Sequence, residues 1–211
     1  MRRRPVVLVP VLLLAVPALA GCLDLSDAGY PEVDGCTIKA NTVCEGADLS
    51  GQDEDLIQAQ LLNANLEGAD LSDSDLTQAT FTNARMDGAT FAGSDATQAD
   101  FQNTVMEEAT FTDVDATQAE FLNVEAAGTD FTGSTLSQAV FQNAELGGAT
   151  MADLDLSGIL FLNAEMQDAE LSGSDLSSAD LTNAVLTGAF LAGADLSDAT
   201  LLNVDLTGAD L

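Results

Sequence analysis

Three thiols and a long series of carboxylates are the side chains through which this chain could do chemistry. A thiolate can attack an electrophile, bind a soft metal or pair with a second thiol. The thiols are Cys22, Cys36 and Cys44. Carboxylates can hold hard cations, or act as an acid–base pair when their surroundings push their pKa values apart. There are 35 of them against 5 basic side chains, with no histidine, and the formal charge is −30. No imidazole is present for general acid–base work, and neither a G-x-S-x-G elbow nor a glycine-rich phosphate loop occurs. The expectation is a protein that is not an enzyme and uses no cofactor.

The surroundings of Cys22 set it apart. Arg2, Arg3 and Arg4 precede an apolar, uncharged run from Pro5 to Ala18, and Leu19-Ala20-Gly21-Cys22 follows. A positive start before an apolar run of this length reads as a secretory signal. The run is short for a bilayer span, and Pro5, Pro10 and Pro17 weaken it as a helix. The alternative is a buried N-terminal segment with a chance cysteine. The quartet resembles the lipobox of bacterial lipoproteins. That resemblance implies a signal peptide over 1–21, cleavage before Cys22, and a diacylglycerol on its sulfur. Acyl chains contribute about 0.8 kcal/mol per buried methylene, so such a residue anchors the chain to a membrane from outside the cytoplasm. Leu23 is not the aspartate that retains some lipoproteins at the inner membrane, which favours the outer membrane in a host with both.

Residues 22–46 contain Gly, Pro and Asp without a clear period, and read as a lipidated tether followed by a cap. In an oxidising envelope compartment, Cys36 and Cys44 most simply form a disulfide. A two-thiolate metal site is the alternative. If the signal is removed, Lys39 and Arg85 are the only basic side chains left. So acidic a chain repels nucleic acid, and no direct binding of it is expected. The charge suits basic proteins, cations, or proteins that normally hold DNA.

The architecture that positions these groups is legible in the periodicity. From Leu56 to Leu211 a Leu, Phe or Met returns at almost every fifth position, with Ala96, Ala116 and Ala126 as exceptions. Two residues before it stands a small residue, as at Ala59, Ala64 and Ala69. A period of five fits neither helix nor flat strand. It fits a chain that turns a corner every five residues, with those two positions inward and the other three outward. Gly, Asn and Asp after the large residue supply the turn.

Units such as Ala69-Asp70-Leu71-Ser72-Asp73 and Ala194-Asp195-Leu196-Ser197-Asp198 resemble the pentapeptide-repeat family. The resemblance covers residues 47–211 and implies an all-β fold: one right-handed quadrilateral β-helix with four repeats per coil and about eight coils. A superperiod of twenty supports the four sides: Phe81, Phe101, Phe121, Phe141 and Phe161 recur at that interval, as do Asn63 to Asn203 and Gln58 to Gln138. Leu49 and Leu56 lie seven apart, so two extra residues fall near Gly51-Gln52-Asp53.

Stacking of coils places side chains in columns. Asp55, Asp75, Asp95, Asp115, Asp155, Asp175 and Asp195 form one acidic column, interrupted by Thr135. Neighbouring carboxylates at ~4.8 Å repel by about 0.9 kcal/mol in water. The column could hold divalent cations or meet a basic surface; well-solvated surface aspartates are the simpler reading, and no metal is expected. Leu122, Val140, Leu160 and Leu162 fall outward on one wall in neighbouring coils, and Val185 with Phe190 forms a smaller apolar candidate. Leu211 is the last large residue, and an open solenoid end there would pair with a second copy or be covered by a partner.

Two functions follow. The first is a non-enzymatic envelope lipoprotein, a rigid anionic scaffold or protein-binding surface for an unknown partner. The second is DNA mimicry, because some pentapeptide-repeat proteins bind DNA gyrase in place of DNA. The export signal separates this chain from cytoplasmic gyrase.

Overall fold

The computed structural model describes residues 29–52 and 54–211. Cys22 and the signal lie outside the described residues. Every fifth residue from Leu61 to Leu191, and the residue two before it, is buried, while the positions between face out. Nearly every outward residue just before a large one bridges its equivalent twenty positions later in parallel, as in Gln60 to Thr80 and Thr80 to Asp100. The result is a right-handed quadrilateral β-helix with one pentapeptide per wall. The first wall carries Leu61, Phe81 and Phe101, the second Leu66 and Met86, the third Leu71 and Phe91, and the fourth Leu76 and Ala96.

The corners need a left-handed residue two after each large one. Asn63, Asn83 and Gln98 have φ of 54°, 59° and 59°, and Gly68 and Gly88 take 66° and 61°. Left-handed backbone costs an ordinary L-residue about 1–2 kcal/mol, which explains the Asn and Gly at these corners. The asparagines recover part of that cost by bonding along the rod. Each Nδ2 donates to the Oδ1 one coil below, at 3.0 Å from Asn83 to Asn63 and 2.9 Å from Asn123 to Asn103. The glutamines run the opposite way: Gln78 donates upward to Gln98 at 2.7 Å.

Phenylalanines from two opposite walls fill the interior. Phe81, Phe101, Phe121 and Phe141 stack along the first wall with ring centroids 4.5–5.0 Å apart. Phe91, Phe111 and Phe131 form a second stack on the third wall, and each meets first-wall rings edge-on, as Phe91 does Phe101 at 5.9 Å. Ala96 and Ala116 on the fourth wall and Ala126 on the second leave them room.

The ladder begins earlier than Ala47. The Asn41 N–H donates to the Leu62 carbonyl, and Val43 bridges Asn65. Thr42 and Cys44 take the two inward positions there and are buried. Before this coil, β1 (Glu32–Val33) and β2 (Cys36–Thr37) form a hairpin. Its turn is Asp34-Gly35, both with positive φ, the chemistry a two-residue hairpin turn requires. A disulfide joins Cys36 to Cys44, with Cα atoms 5.3 Å apart, and ties the hairpin to the first coil.

The extra residues change the ladder offset. Asp48 bridges Asp70, twenty-two positions on, whereas Gln60 bridges Thr80, twenty on. The acidic column is corrected as a consequence. Asp75 sends its N–H to the Gln52 carbonyl, and Asp55 sits in the inserted segment, outside the ladder.

One fault interrupts the rod. Residues equivalent to Gly133, Leu136 and Gln138 donate to the next coil, and residues equivalent to Asp155 and Leu160 donate to the previous one; these five N–H groups make no such bond. The inward small positions of the adjoining coil hold Leu154 and Ile159, where Ser or Ala stands in most other coils. Leu154 opens the fourth wall and Ile159 opens the next, so a bulky side chain stands at each end of the faulted wall. The Phe141–Phe161 pair beside it is tilted by 32°, whereas Phe121–Phe141 is tilted by only 2°.

Candidate functional site

The aspartates of the fourth wall have a local task. The Asp155 Oδ1 accepts from the Ser157 N–H at 3.1 Å and its hydroxyl at 2.7 Å. Asp75, Asp95, Asp115, Asp175 and Asp195 accept in the same way from the residue two ahead. The Ser157 hydroxyl, then its N–H, holds the Asp155 carboxyl below its ordinary value. At Asp195 the Ser197 N–H comes first. The column thus closes turns. Among the described residues, no three His, Cys, Asp or Glu side chains converge as metal ligands would.

Charge is unevenly spread over the four walls. Between residues 60 and 210, the outward positions of the second, third and fourth walls hold nine, seven and seven acidic residues. The first wall holds three, Asp100, Glu120 and Asp180. Its remaining outward side chains are mostly amides, threonines and aliphatics.

The predicted apolar residues Leu122, Val140, Leu160 and Leu162 all lie on this wall. Val140 bridges Leu160 directly, and Leu160 is 40% exposed. Leu122 and Leu162 share the neighbouring column, two coils apart with Gln142 between, and both are half-buried. That column also contains Leu62 and the exposed Leu202, which sequence reasoning missed although they fall in the same twenty-residue register. Val185 and Phe190 are separated by the structure. They lie on the second and third walls, each in a column of acids: Val185 between Glu165 and Asp205, Phe190 between Glu170 and Asp210. They are single apolar residues on different walls. Leu211 is exposed on the last coil, with Leu201 and Leu202.

Open hollows flank the cap. One of about 340 Å³ is lined by Asp34, Val43 and Glu45 beside the disulfide. Another of about 290 Å³ is lined by Tyr30, Ile38, Ile57 and Gln58. Neither gathers a nucleophile and a base.

These features define a solenoid filled by its own side chains, with five-residue units on four walls. The chain belongs to the pentapeptide-repeat family. The family's profile of pentapeptide repeats matches residues 55–93 and 174–211, and the profile of a pentapeptide repeat region matches 94–171. A search among curated proteins found no match. Among solved structures, a trypsin-treated variant of QnrB1, a plasmid-mediated fluoroquinolone resistance protein, is 22% identical with a TM-score of 0.58. The match covers 82% of this chain and 91% of that one. HetL, a pentapeptide repeat protein involved in heterocyst differentiation regulation in the cyanobacterium Nostoc sp. strain PCC 7120, is 24% identical over 82% of this chain and 88% of its own, with a TM-score of 0.36. At such identities the QnrB1 likeness speaks for the fold alone.

Proposed function

We propose that this protein is a non-enzymatic lipoprotein of the cell envelope: a rigid, anionic rod that is anchored through Cys22 and binds another protein. The observation that carries the binding half is the uneven surface, one wall poor in charge on a rod otherwise covered with carboxylates. The interior supports the non-enzymatic half. Phenylalanine stacks occupy the space in which a pocket would have to form, so the carboxylates stay on a convex, solvated surface. The anchoring half rests on the order of Arg2–Arg4, the apolar run and Leu19-Ala20-Gly21-Cys22.

DNA mimicry is the second reading, favoured by the rod fold that this chain shares with QnrB1 and by its own formal charge of −30. Fractionation of cells fed labelled fatty acid separates the two. Envelope anchoring predicts label and membrane recovery for the wild type, and neither for Cys22→Ala. Both proteins soluble, unlabelled and cytoplasmic would overturn anchoring and make inhibition of gyrase supercoiling the next assay.

A further inference from the structure

We propose that the middle of the first wall docks a cationic amphipathic segment of a partner protein, with apolar side chains on the strip Leu122, Val140, Leu160 and Leu162 and basic side chains reaching the neighbouring glutamates. This inference rests on the protein-binding reading and gives its partner a chemistry. Three observations meet at one place. The first is the apolar strip itself, in which Val140 bridges Leu160 and Leu160 stands 40% exposed. The second is charge complementarity. Around the corner formed by Asn123, Asn143 and Asn163, the second wall presents Glu125, Glu145 and Glu165, bridged in sequence from coil to coil. Among the described basic side chains, Lys39 belongs to the cap, and Arg85 is three coils away from Glu145 and is paired with Glu67 at 3.2 Å and Asp87 at 2.7 Å. Stacked carboxylates beside an apolar strip favour a ligand with Lys or Arg next to its aliphatic side chains, because long basic chains lie along apolar surface and place their charge at the edge. The third is the fault in the ladder. Most of it lies on the fourth wall, and it reaches the edge of the strip, leaving the Leu160 N–H without the bond to the Ala139 carbonyl that its equivalents make.

A second copy of this chain is a poorer occupant. It would bring its own Glu125–Glu145–Glu165 column and a formal charge of −30 to the contact.

The test uses the full chain in neutral detergent and fluorescence anisotropy with a nonapeptide of alternating Leu and Lys. The comparison probe replaces each Leu with Ser and keeps the charge. The wild type should bind the Leu–Lys probe at least tenfold more tightly than the Ser–Lys probe. The double change Leu160→Ser and Leu162→Ser should remove that preference while leaving Ser–Lys binding unchanged. Glu145→Gln with Glu165→Gln should weaken the Leu–Lys probe several-fold more than Asp113→Asn with Asp130→Asn on the third wall. Circular dichroism melts confirm that each variant is folded. Equal binding of both probes, or equal effects of the two carboxylate pairs, overturns the proposal. Sedimentation showing a wild-type dimer that Leu160→Ser dissolves would assign the strip to a second copy and also overturn it. Fatty-acid labelling of the same preparations reads the anchor independently, so failure of the strip and failure of the anchored-rod reading are told apart.

Discussion

The Asn63 side-chain amide donates to Asn41 at 3.1 Å across twenty-two residues, while the rung above it, Asn83 to Asn63, spans twenty. The corner ladder therefore continues through the two-residue insertion and ties the disulfide-bound cap to the regular coils. Excess chain is displaced into the segment after Gln52, and the asparagine column keeps its alignment.

Asn123 tests that ladder. It donates to Asn103 and accepts from Asn143, both at 2.9 Å, with φ of 54°. Asn123→Ala should lower stability by about 1–2 kcal/mol, through left-handed strain and lost bonds in an exposed position. Asn123→Gly, which tolerates the backbone, should lose less. Urea unfolding midpoints compare the two. Equal losses would mean that strain is not the source.

Phe121 tests the interior. Its ring stacks on Phe101 at 4.9 Å and Phe141 at 4.5 Å, and meets Phe111 and Phe131 edge-on. Phe121→Ala should cost about 3–5 kcal/mol, because coils on both sides are fixed by the ladder and collapse poorly onto the cavity. A thermal melt within a degree of wild type would contradict this packing account.

The turn aspartates should leave a signature in acid. The Asp155 carboxyl is held below its ordinary 3.8 by Ser157, so this turn is stabilised fully above that value. The contribution fades as pH falls through the lowered value, since protonation removes the acceptor. Ser157→Ala should move the Asp155 midpoint upward in a carboxyl NMR titration. An unchanged midpoint would rule out the hydroxyl as the main cause.

The fold's repeating part was legible because two inward positions in every five and a twenty-residue recurrence describe nearly all of it. What escaped were relationships between coils. Thr42 and Cys44 fill inward positions without matching the Ala-x-Leu pattern, so the first coil read as cap, although Asn41 stands twenty-two before Asn63. Phe91, Phe111 and Phe131 form a second stack that only the two-wall geometry brings against the first. Asp55 carries the right spacing but lies in the insertion. The strip was legible as four outward apolar residues. Its setting was not, because the glutamate column belongs to the next wall and the fault is a set of missing bonds between coils, beside Leu154 and Ile159.

That fault gives a prediction of unusual sign. Amide exchange at Leu136 and Gln138 should be faster than at Ala116 and Gln118, whose N–H groups are bonded to Thr135 and Ser137. The double change Leu154→Ser and Ile159→Ala should slow exchange at Leu136 and Gln138 while lowering global stability by several kcal/mol, through lost apolar burial. Unaltered local exchange would detach the fault from these two side chains.

Intact mass analysis of the mature protein from producing cells tests the central claim most directly. The account predicts a chain that begins at Cys22 and carries the added mass of a diacylglycerol, with further acylation of the new N-terminus in hosts that perform it. A chain still beginning at Met1, or one cleaved elsewhere without lipid, would contradict it.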